Sequence, residues 1–105
     1  MSRPVRVHPQ FTADLALQLR WLRDNSQLDR ISQLRADLRD ARLLLGRFPH
    51  VGAVEAKDGE VIIRRLILRQ TPYVVWFATT AGATRGGVTL MRIFHARQNR
   101  PQTKL

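Results

Sequence analysis

The sequence predicts an α+β fold of order β-α-α-β-β-β, a helical hairpin packed on a small antiparallel sheet. Two observations carry this reading. Apolar residues recur every three or four positions up to Leu45. Beyond it, β-branched and aromatic runs are separated by Gly- and Pro-containing turns.

The elements follow in order. Val5-Arg6-Val7-His8 alternates apolar and polar, a short strand closed by Pro9. Thr12 is placed to cap the first helix, with Asp14 in its first turn. Phe11, Leu15, Leu19 and Leu22 share one face, which Leu17 and Trp21 widen. Asp24-Asn25-Ser26 interrupts the pattern. Leu28, Ile31, Leu34, Leu38, Ala41 and Leu45 then define a second helix, with Gly46 as its C-cap. The short break forces an antiparallel helical hairpin.

Phe48-Pro49-His50-Val51-Gly52 is irregular, and Lys57-Asp58-Gly59-Glu60 reads as a turn. Strands are expected over Val61 to Arg69, Tyr73 to Thr79 and Val88 to His95, an antiparallel meander with a flexible turn over residues 81–87. A single domain covers residues 1–97, followed by a flexible tail over 98–105.

Composition narrows the function classes. A chain of 105 residues that is 44% apolar can build one modest core. It has no cysteine, which excludes disulfides and thiolate metal sites and fits a reducing compartment. Met1-Ser2-Arg3-Pro4-Val5-Arg6 is followed by no apolar run of the signal-peptide kind. No segment approaches the roughly 20 apolar residues of a membrane span. A cytoplasmic location is expected.

Eighteen basic residues stand against eight acidic ones, a net charge of +10, and nearly all the basic ones are Arg. A GC-rich genome explains the preference for Arg over Lys, but not the excess charge. No Asp or Glu follows Glu60, while Arg64, Arg65, Arg69, Arg85, Arg92, Arg97, Arg100 and Lys104 all do. Guanidinium groups match phosphates and carboxylates, so the charge points to nucleic acid or an acidic protein as partner.

Within the strand from Val61, Arg65 and Arg69 share a face with Ile63 and Ile67. Arg64 shares the other with Ile62, Leu66 and Leu68. The second set reads as the core face, with Arg64 near its edge and its head reaching water. Arg65 and Arg69 fall on the open face. His95 ends the last strand beside Arg92 and Arg97, as the one candidate general base. His8 and His50 are too isolated for a metal site, and no serine has a nucleophile setting. Gly86-Gly87 lacks the Lys-Ser/Thr of a phosphate loop. Trp21 and Trp76 read as core and edge residues rather than base-stacking platforms. Neither a cofactor nor a metal is expected.

Over about residues 5–97 the chain resembles the RelE/ParE superfamily of bacterial type II toxins. The resemblance rests on the helical hairpin, the Pro49-His50-Val51-Gly52 linker, the strand bearing Arg65, the Tyr73-to-Phe77 strand and the terminal His95-Ala96-Arg97. RelE-like members cleave mRNA on the ribosome with basic residues and a late Tyr or His. Their aromatic strand usually reads Tyr-Arg-x-x-Tyr, where this chain has Val74 and Phe77, and no tyrosine follows its last strand.

The ParE-like pattern, an apolar aromatic strand and a final His-x-Arg segment, fits better. It implies a gyrase-binding poison, of the plasmid-stabilisation kind, neutralised by an acidic antitoxin encoded adjacently. On that reading Arg65, Arg69, Arg92, His95 and Arg97 are partner-binding residues on a basic sheet surface. Two alternatives stay open. One is a RelE-like endoribonuclease using His95, Arg65 and Arg92; the other is a basic nucleic-acid-binding module without toxicity.

Overall fold

The computed structural model describes residues 3–80 and 87–97. They form an α+β fold of two helices on one five-stranded sheet. β1 (Val5–Val7) leads into α1 (Pro9–Asp24) and α2 (Leu28–Arg47). β2 (Ala53–Asp58), β3 (Val61–Ile67), β4 (Tyr73–Thr80) and β5 (Val88–His95) follow. Their order across the sheet is β1-β5-β4-β3-β2.

Two features of the sheet differ from the expected meander. β2 is a strand not expected from the sequence, lying between the irregular segment 48–52 and the turn at 57–60, because the Asp58-Gly59 turn, with Gly59 at φ +58°, closes an antiparallel hairpin with β3. β1 lies parallel to β5, in register Val5 with Val88 and Val7 with Leu90, so the sheet is mixed. The expected turn over 81–87 lies outside the described residues except for Gly87, as does the expected tail.

Helix boundaries also shift. α1 begins at Pro9, three residues before the expected cap at Thr12. Proline suits a first-turn position, and His8 Nδ1 accepts the Gln10 N–H at 3.0 Å as the N-cap. α2 runs past Gly46, which is buried inside the helix and whose carbonyl accepts the Arg3 N–H at 2.7 Å. The N-terminal segment therefore docks where the sequence places a helix stop.

The main core lies between the hairpin and one sheet face. Phe11, Leu22, Leu34 and Leu45 pack there against Val75, Phe77, Leu90 and Ile93. The opposite face carries a second apolar cluster of Ile63, Val74, Trp76 and Phe94, with the Trp76 and Phe94 rings edge-to-face at 5.3 Å. β4 is buried on both faces, which explains its unbroken apolar run. Its second face is therefore not a plain basic surface.

Two buried aspartates fasten the hairpin to the sheet. Asp37 of α2 accepts the Thr71 N–H at 2.8 Å, the Thr71 hydroxyl at 2.7 Å and the Gln70 N–H at 3.1 Å. It thereby holds the β3–β4 connection. Asp14 of α1 accepts from Arg92 and from the Ile93 N–H on β5. Among the described residues no helix is long and apolar enough to cross a membrane.

Candidate functional site

The five basic residues singled out from the sequence do not converge on one surface. Arg65 and Arg92 lie in one register row, on either side of Trp76. Two strand spacings separate them, about 10 Å between backbones. Their guanidinium groups are drawn in opposite directions. Arg65 Nη1 meets Glu55 Oε1 at 3.0 Å toward the outer strand β2. Arg92 Nε meets Asp14 Oδ2 at 2.7 Å on α1, beyond the other side of the sheet.

A β-bulge sits beside each pair. One shift in the β2–β3 register makes Glu55 the extra residue. A second, in the β4–β5 register, makes Met91 the extra residue immediately before Arg92. Gly52 permits the first arrangement. It adopts φ +87°, and a Cβ there would stand 2.2 Å from the Arg65 carbonyl oxygen.

His95 belongs to the helix side of the sheet. It lies opposite Tyr73, with the two rings edge-to-face at 5.4 Å. Its Nδ1 accepts the Arg97 N–H at 3.1 Å, which puts the proton of the neutral ring on Nε2. Arg97 is exposed just beyond β5, and Arg69 is exposed in the β3–β4 connection at the same end of the sheet. His95, Arg65 and Arg92 are thus not gathered around any one point where a phosphate could react.

Among the described residues, three concave surfaces involve the hairpin. A cleft of about 760 Å³ opens at the end of the hairpin, where α1, the start of α2 and the ends of β4 and β5 meet. Trp21, Arg30, Tyr73 and His95 line it, together with Gln18 and Gln27. Burial holds the Tyr73 hydroxyl above its ordinary pKa, against the opposing pull of the Arg30 charge. Trp21 is 58% exposed, so it is a wall of this cleft and not the core residue expected from its helical spacing.

Two shallower grooves follow the helices. One, of about 470 Å³, combines Leu38 and Leu43 with Arg35, Arg39 and Arg42. The other, of about 340 Å³, combines Leu19 and Ile31 with Arg20, Arg23 and Arg35. Among the described residues only the adjacent carboxylates Asp24 and Asp40 approach these arginines, at 3.9 Å from Arg23 and 3.7 Å from Arg39, and both pairs are exposed and weak.

Arg30 and Asp37 escape the sequence reading, and Asp14, expected in the first turn of the helix, lies beyond it because α1 starts at Pro9. A signal for Asp14 and Asp37 existed: each follows a buried apolar residue, Phe11 or Leu34, by three positions and so falls on the apolar face. Among the described residues no group of three or more His, Asp or Glu could hold a metal. No protein-family model matches the chain, and no curated protein compared with it matches either.

Proposed function

We propose that this chain is the toxin of a type II toxin–antitoxin pair of the ParE-like kind, acting in the cytoplasm by binding DNA gyrase. The observation that carries the reading is the character of the hairpin grooves. Leu19, Ile31, Leu38 and Leu43 supply apolar contact, and Arg20, Arg23, Arg35, Arg39 and Arg42 surround them with positive charge. Such a surface suits an acidic amphipathic segment that orders on binding, the chemistry of an antitoxin arm. Arg69 and Arg97, exposed at one end of the sheet, extend the positive field toward the target.

The sheet geometry favours docking over cleavage. Ribonucleolysis needs a base, a phosphate clamp and an acid held around one phosphodiester. Here Arg65 and Arg92 are engaged by carboxylates on opposite sides, and His95 faces the helices. A basic module without toxicity would share the charge, but it has no use for apolar grooves.

Co-expression with the product of an adjacent acidic reading frame tests the proposal. A stable complex is expected, weakened at least about tenfold when Arg35, Arg39 and Arg42 are all changed to Ala, and weakened by salt. Failure of any adjacent acidic product to bind would remove the basis for the antitoxin reading.

A further inference from the structure

The cleft at the hairpin end has a chemistry that the toxin reading does not use. Its polar lining groups are Arg30, His95, the Tyr73 hydroxyl and the amides of Gln18 and Gln27, and among the described residues no carboxylate lines it. Arg30 is half-buried and enters no ion pair among the described residues. Arg30 and Tyr73 both line the cleft, and the Arg30 charge opposes the burial-driven rise in the Tyr73 pKa. Among the residues lining the cleft, the exposed aromatic surface is Trp21 on the wall.

From this arrangement we infer that the cleft binds a nucleotide, with the base stacked on Trp21 and the phosphate held by Arg30. The volume falls within the usual range for small-ligand sites, about 300–1,000 Å³. Indole faces stack on any base, and an adjacent guanidinium adds phosphate recognition. The Gln27 amide both donates and accepts, as the edge of a base requires. A tyrosine hydroxyl, protonated at neutral pH, donates to a ribose or phosphate oxygen. The same chemistry can come from a free mononucleotide or from one residue of a single strand.

Tryptophan fluorescence reads this site directly. Trp76, the chain's other indole, is only 2% exposed, so ligand quenching reports Trp21. The four ribonucleoside monophosphates, the corresponding nucleosides and a short single-stranded oligonucleotide serve as ligands for the full chain. Saturable quenching by the monophosphates is expected. Nucleosides without phosphate should bind about tenfold more weakly, and so should the monophosphates to Trp21→Ala or Arg30→Gln, with Trp21→Phe largely restoring binding. For Trp21→Ala and Trp21→Phe, calorimetry replaces fluorescence, and thermal unfolding verifies that each variant is folded.

An oligonucleotide binding far more tightly than a monophosphate, with the same variant losses, supports the site and assigns it to a strand. Absence of saturable binding up to millimolar nucleotide would overturn the inference. Equal binding of nucleoside and nucleotide, insensitivity to Trp21→Ala and Arg30→Gln, or quenching by an acidic apolar peptide alone would also overturn it. None of these readouts involves an antitoxin or gyrase, so this inference and the toxin reading fail separately.

Discussion

Asp14 on α1 and Arg92 on β5, 78 residues apart in sequence, meet at 2.7 Å and fix the first helix to the sheet. The same carboxylate accepts the buried Ile93 N–H at 3.2 Å. The most exposed-looking charge of the last strand is therefore an internal fastening. Asp14→Ala would leave both groups without their acceptor. Because the Arg92 side chain is 32% exposed, water offsets part of the loss. A destabilisation of about 2–3 kcal/mol is expected, below that of a fully buried pair. Urea unfolding of Asp14→Ala, Arg92→Met and the double variant checks it, with clear coupling expected in the cycle.

Asp37 should matter at least as much. It accepts from two backbone N–H groups and one hydroxyl across the β3–β4 connection. Asp37→Ala leaves all three donors without that acceptor and is expected to cost about 3 kcal/mol, whereas Thr71→Val loses only one hydroxyl bond, about 1 kcal/mol. Denaturant midpoints that placed Thr71→Val at or above Asp37→Ala would contradict this ranking.

The two glycines that flank β2 separate two costs. Gly52→Ala meets both a left-handed backbone and a Cβ position 2.2 Å from the Arg65 carbonyl oxygen, so strand pairing must shift. Gly59→Ala meets only the backbone cost, since nothing lies within 4 Å of its Cβ position. Thermal unfolding should show about 1 kcal/mol lost at Gly59 and at least twice that at Gly52.

The class of fold and both helices were legible because their period is local. A three- or four-residue repeat from Leu28 to Leu45 needs no partner to be recognised, and three of the strands announce themselves by β-branched and aromatic runs. β2 was not legible, since Ala53-Val54-Glu55-Ala56-Lys57 has weak strand composition and is a strand only because β3 pairs with it. The parallel placement of β1 depends on contacts with β5 far along the chain. At the sites, sequence gave the charge of Arg65 and Arg92 but not their direction, which Glu55 and Asp14 determine. Trp21 misled because helical spacing alone does not show where the covering sheet ends.

Tyr73 offers a pH test, as the only tyrosine of the chain. Burial raises its pKa above the ordinary value of about 10, with Arg30 opposing. The unfolded chain then ionises first. Stability is unaffected by this group below pH 10, falls as pH rises from there to the folded midpoint, and levels off beyond it. Tyrosinate absorbance should titrate above 10 in the folded protein, and higher still in Arg30→Gln. Tyr73→Phe should abolish this part of the alkaline destabilisation.

The proposed toxin acts by docking and not by cutting RNA. The most direct measurement assays purified protein, in parallel, on gyrase supercoiling and on ribosome-bound mRNA. Inhibition of supercoiling that an acidic antitoxin relieves, with intact mRNA and with little effect of His95→Ala, is the predicted result. Cleavage of ribosome-bound mRNA that disappears in His95→Ala, with gyrase unaffected, would contradict the account.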